Sequence, residues 1–178
     1  MTWRQWFCYV AIAVTTILAI AARVGRSDEP GADYRPRPGL TPGAVDPRVT
    51  QDNIATTICV PGYTKTVRPP VSVSNHIKRE SMKAYGVAGV MVDYELDHLI
   101  SLELGGAPAD IANLWPEPWQ SKGHRLAPRG LGAEAKDEVE NALHRLVCAG
   151  KMTLSSAQSC IRTDWVSCGE QIGVRKAP

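Results

Sequence analysis

Between residues 90 and 118 the chain sets one short apolar run against dense punctuation, which leaves few ways to fold. Residues 90–96 read as a strand leading into Asp97-His98. Gly105-Gly106 and Pro108 mark the turn beyond it, and residues 113–115 read as a partner strand stopped by Pro116 and Pro118. The expected unit is a hairpin with an acid and a histidine at the end of its first strand and Asn113 on its second.

Those residue types belong together chemically. A carboxylate can hold a divalent cation that stabilises charge on a phosphate oxygen, while an imidazole takes a proton from water. An Asn amide can accept from a ring N–H and so decide which imidazole nitrogen stays free as the base.

Elsewhere the chain favours helices. On residues 133–149, Val139, Ala142, Leu143, Leu146 and Val147 form one face, and Gly150 supplies the stop. Thr153 can cap a following helix whose buried stripe is Leu154, Ala157, Ile161 and Trp165. Ser74 or Asn75 can cap an earlier helix that runs to about Tyr85 and ends at Gly86. Residues 56–60 read as a short strand ended by Pro61-Gly62. Trp115, Trp119 and Trp165 suit packing better than base stacking, and His144 reads as a solvated helix residue.

Taken in order, several blocks resemble the HNH endonucleases. They are Tyr94-Glu95-Leu96-Asp97-His98-Leu99-Ile100, Gly105-Gly106, Asn113-Leu114-Trp115-Pro116, the upstream Cys59-Val60-Pro61-Gly62-Tyr63-Thr64, and Lys136-Asp137 on the long helix. The nearest likeness is to a group of bacterial exported or membrane-proximal HNH-like proteins, over most of residues 50–168. The resemblance implies an α+β domain, mostly helical overall, in which a ββα-metal core of one hairpin and one helix carries flanking helices. It also implies DNA or RNA as substrate and a divalent cation: magnesium, manganese, nickel or zinc.

Under that likeness His98 is the general base, Asn113 its orienting partner and Asp97 a metal ligand. A further ligand is expected three positions before the helix Lys, where this chain has Ala133. Asp137, one turn on, is the expected second metal ligand. His124 in the long connection is an alternative, and loss of the cation is another. Lys136 and Arg125 are the candidate substrate contacts, although Lys136 could equally pair with Glu140 at i,i+4.

Composition bounds the setting. The chain has 178 residues, 44% of them hydrophobic, enough for a single core and one domain. Net charge is +2, which argues against a dedicated high-affinity DNA binder without excluding a nuclease, since local clusters such as Lys65 with Arg68 remain. Residues 6–22 are uncharged and apolar after the single cation Arg4, and Ala19-Ile20-Ala21 offers a cleavage pattern. Residues 1–22 are therefore expected to be a secretory signal or a retained membrane anchor, which places the folded part outside the cytoplasm, as a periplasmic, secreted or inner-membrane-anchored protein. Residues 23–50, with Pro30, Pro36, Pro38, Pro42 and Pro47, are expected to be an extended or disordered linker, and 51–178 the folded domain, a monomer.

Cys8 falls in the exported segment, leaving Cys59, Cys148, Cys160 and Cys168. Four cysteines allow three connectivities, among which sequence does not choose. The expected pairs are Cys59 with Cys148, stapling the start of the domain to the end of its main helix, and Cys160 with Cys168, closing a short loop around Trp165. No close Cys-x-x-Cys pair of the structural-zinc kind is present. Two functions follow as expectations. One is an exported metal-dependent endonuclease, and the alternative is an inactive, disulfide-stapled binding module of the cell envelope.

Overall fold

The computed structural model describes residues 35–87, 89–119, 127 and 130–175 of the chain. The expected signal or anchor at 1–22, together with His124 and Arg125, lies outside the described residues. Helices α1 (Tyr63–Val67) and α2 (Val71–Tyr85) precede a two-stranded antiparallel sheet of β1 (Tyr94–His98) and β2 (Leu114–Pro118). Helices α3 (Ala133–Cys148) and α4 (Leu154–Gln171) follow. The architecture is mixed α+β and mostly helical. Among the described residues no helix is long and apolar enough to cross a membrane.

The helical stripes close the core. Val139, Leu143 and Val147 of α3 meet Leu154, Ala157, Ile161 and Trp165 of α4, with Ile100 and Leu104 from the loop between the strands. Thr153 caps α4 by accepting from the Ser156 N–H at 3.2 Å. Gly86 ends α2 in the left-handed region at φ 60°, and that helix starts at Val71, ahead of Ser74, because Pro70 already fixes its entry.

β2 runs through both prolines, where the sequence suggested a stop. Leu99 N–H donates to the Asn113 carbonyl and Trp119 N–H to the Asp93 carbonyl, so the bonded pairs of the ladder are odd-numbered on both strands. Pro116 and Pro118 sit opposite Leu96 and Tyr94, at non-bonded pairs where no ladder N–H is needed.

Two other expectations are corrected. Residues 35–50 are irregular but packed, not a free linker. Asp46 N–H donates to the Gly105 carbonyl, Ala107 N–H to the Ala44 carbonyl, and Thr41 Oγ1 bonds the Tyr85 hydroxyl at 2.7 Å. The segment borrows its backbone partners from the double-glycine loop, so its prolines forfeit little, and Val49 enters the core. Residues 56–60 are not a strand. Residues Gln51–Thr56 form a 3-10 turn, and the Thr56 and Thr57 hydroxyls bond the Asn53 carbonyl, a local alternative that wins where no sheet edge is available.

Both disulfides are present, Cys59–Cys148 across 89 positions and Cys160–Cys168 across 8. The second bridges a break in α4 at Asp164, whose carboxylate accepts from Val166 N–H and Ser167 Oγ and pairs with Arg35. Two such bonds are compatible with an extracellular or periplasmic protein.

Candidate functional site

The site is built by the pleat of β1. Side chains two apart share a face, so Glu95 and Asp97 lie on one side with their register partners Glu117 and Trp115, and His98 turns to the other. His98 is 6% exposed, and its Nε2–H donates to the Pro108 carbonyl at 2.9 Å, since a carbonyl can only accept. That bond sets the tautomer. Nδ1 keeps its lone pair and makes no hydrogen bond within the described residues. Burial pushes the imidazole pKa down, against the opposing pull of the Pro108 carbonyl and Asp97, so the ring is neutral near pH 7.

Asn113 does not touch the imidazole. It is fully buried, its Oδ1 accepts from Ile100 N–H at 2.9 Å, and its Nδ2 donates to the carbonyls of Ile100 at 2.9 Å and Ala107 at 3.1 Å. The expected direct contact with the imidazole is therefore not made; Asn113 instead ties the loop that carries Pro108. The glycines serve this clamp. A Cβ on Gly106 would stand 1.7 Å from the Ile100 carbonyl oxygen and 2.9 Å from Asn113 Nδ2, and Gly105 has φ +71°.

Behind β1 lies a sealed polar cluster. Lys136 is 0% exposed, and its ammonium donates to Asp97 Oδ2 at 2.6 Å, to the His98 carbonyl at 2.7 Å and to Glu140 Oε1. The expectation that Lys136 contacts substrate is corrected, since no phosphate can reach it. Its other expected role, the i,i+4 partner of Glu140, is the one realised. Burial alone would lower the lysine pKa, but Asp97 and Glu140 outweigh it and raise it. Asp97, buried, is nevertheless held below its ordinary value, because Lys136 overcomes the cost of burial.

Glu117, missed from sequence, is also fully buried, and neither of its oxygens meets an N–H or hydroxyl donor among the described residues. Its neighbour is the Asp97 carboxylate, and two carboxyl groups can bond only with a proton between them. Burial and the Asp97 charge raise Glu117 well above the usual range, so it donates that proton to Asp97. Burial also raises Glu140, against Lys136 and with Asp97.

At the rim, Glu95 is pushed up to about 7 by burial and by the charges of Asp97 and Asp137. Asp137, exposed on α3, is raised by burial of its carboxyl and by Asp97. Arg68, exposed at the end of α1, acts electrostatically on Glu95, His98 and Asp137. Sequence gave Arg68 only as part of a basic pair; its nearness to His98 comes from the turn between α1 and α2.

A divalent cation does not fit this arrangement as an open site. Asp97 is bonded to Lys136, Ala133 is apolar and buried, and among the described residues no three carboxylate or imidazole ligands of this region lie within 4.8 Å of one another. The group that does meet that spacing is Cys59, His144 and Cys148. It could hold a metal once reduced, but its two sulfurs form a disulfide and so offer no thiolate. His144 is not solvated as expected. It is half-buried, its Nε2–H donates to the Ile58 carbonyl at 2.9 Å, and Glu103 lies 3.8 Å from its Nδ1.

Comparison with known proteins adds no relative: no family model, curated protein or solved structure matches the chain.

Proposed function

We propose that this chain is an exported phosphodiesterase acting on DNA or RNA, with His98 as general base. The observation that carries the reading is the state of the imidazole: buried, neutral, fixed through Nε2–H on the Pro108 carbonyl, with Nδ1 open as acceptor. A water molecule placed at Nδ1 would attack phosphorus while its proton passes to that nitrogen, and the departing oxygen would take a proton from solvent. Arg68 is the exposed cation closest in effect to the ring and would bind the phosphate, as would Arg125 if the connection brings it near. The resemblance to HNH endonucleases supplies the reaction class. The cation it implies finds no ready cage of carboxylates and imidazoles around Asp97 among the described residues.

A second reading has one observation behind it. Asp97, the expected metal ligand, is spent on Lys136, which suits a scaffold kept for binding a partner at the envelope.

Cleavage of plasmid DNA and of single-stranded RNA by the full chain, with and without chelator, separates the two. Wild type is expected to cleave, and His98→Ala to lose about 10²–10⁴-fold. Equal rates for the two proteins would leave the binding module as the better account.

A further inference from the structure

The cluster behind β1 has the form of a cation site. Asp97 Oδ2, the His98 carbonyl and Glu140 Oε1 converge on one point, with the fully buried Glu117 carboxyl alongside and no donor for either of its oxygens among the described residues. What stands at that point is the Lys136 ammonium. We propose that Lys136 is the resident cation of this centre: it closes the Asp97–Glu140 position to divalent ions, and removing its side chain would open that position to one.

The distances and the donor count support this. The ammonium lies 2.6 and 2.7 Å from its first two oxygens, and divalent ions bind oxygen at about 2.0–2.6 Å, so the space left by Nζ suits an ion of that kind. All three ammonium donors are used, which makes the lysine a complete occupant with no vacancy. It is tethered as the fourth residue of α3, on that helix's buried face, so its dehydration and ordering are met on folding and not on binding.

An incoming ion could not share the site. It would have to expel the ammonium and leave it buried without a partner, with its full desolvation penalty uncompensated.

The inference concerns the occupant of the cluster and stands whether or not His98 acts on phosphodiesters. Binding of Mn²⁺ to the full-length chain, followed by electron paramagnetic resonance of the free ion, tests it directly. Wild type and Asp97→Asn are expected to give the same isotherm, because the carboxylate is closed to the ion. Lys136→Ala is expected to gain one site at least tenfold tighter than any in wild type, and Lys136→Ala with Asp97→Asn to lose it again. Lys136→Met, which refills the space without charge, should gain none. A Mn²⁺ site in wild type that disappears in Asp97→Asn overturns the proposal, as does a folded Lys136→Ala protein that gains no site. If Lys136→Ala folds neither with nor without Mn²⁺, the wild-type arm decides alone: an Asp97-dependent site refutes the proposal, and its absence supports it.

Discussion

Asp97 and His98 share a peptide bond, yet the pleat of β1 sends the carboxylate onto the Lys136 ammonium at 2.6 Å and the imidazole onto the Pro108 carbonyl at 2.9 Å. The first environment is closed: every strong charge in it has a partner and no substrate can enter. The second is held on one side only, with a lone pair left over. Two adjacent residues of the kind that would serve one reaction are thus divided between a closed ion pair and an imidazole with an open acceptor, and the Lys136 contact with the His98 carbonyl joins the two halves.

The comparison breaks most sharply at Lys136. Lys136→Met strands Asp97 in a buried pocket and is expected to cost about 3–5 kcal/mol in a urea titration. If the loss is under about 1 kcal/mol, the cluster is not the closed ion pair described here. His98→Ala should show the reverse pattern, losing about 10²–10⁴-fold in cleavage. Its stability should fall by only about 1 kcal/mol for the single bond to Pro108, read from the same denaturant curve.

Asn113→Ala tests whether the loop serves the histidine. It leaves the Ile100 amide and carbonyl and the Ala107 carbonyl without their partner, at about 2–3 kcal/mol overall. It should also free the imidazole, seen as a histidine titration in proton NMR that moves up toward the ordinary value. A His98 pKa unchanged in a folded Asn113→Ala protein would mean that Pro108 is positioned by something else.

The smallest effect lies at the rim. Between the ordinary carboxylate range and about 7, folded Glu95 keeps a proton that the unfolded chain has released, so this residue makes stability fall as pH rises through that window. His98 acts oppositely. Its lowered pKa means that the unfolded chain takes up the proton first, so its contribution is lost as pH falls below the ordinary histidine value. Glu95→Gln is expected to remove the first slope and leave the second, raising the melting temperature by a few degrees at pH 8 and little at pH 5. An identical pH profile for both proteins would show that Glu95 does not feel Asp97 and Asp137.

Much of this was legible locally. The apolar stripes of α3 and α4, the Thr153 cap and the Gly86 stop depend on neighbours within a turn or two, where residue type and spacing suffice. The hairpin was legible too, but its length was not. Whether a proline ends a strand depends on which side of the ladder it falls, and that is a matter of register with a distant segment. Residues 35–50 were misread for a similar reason: composition describes a chain alone, and this segment's partners are the backbone groups of residues 105–107.

The site divides along the same line. Asp97, His98, the paired glycines and Asn113 announced themselves by type and order, and the four bridging cysteines by their even number, although their pairing came from the fold. The chain could not reveal that Asn113 ties the loop that carries Pro108, that Glu117 is buried beside Asp97, or that Lys136 points inward and fills the place expected for a metal. Those outcomes depend on desolvation and on charges brought together across 39 positions between Asp97 and Lys136. Burial decides whether a lysine is a phosphate contact or an internal cation, and burial belongs to the folded molecule and not to any stretch of its sequence.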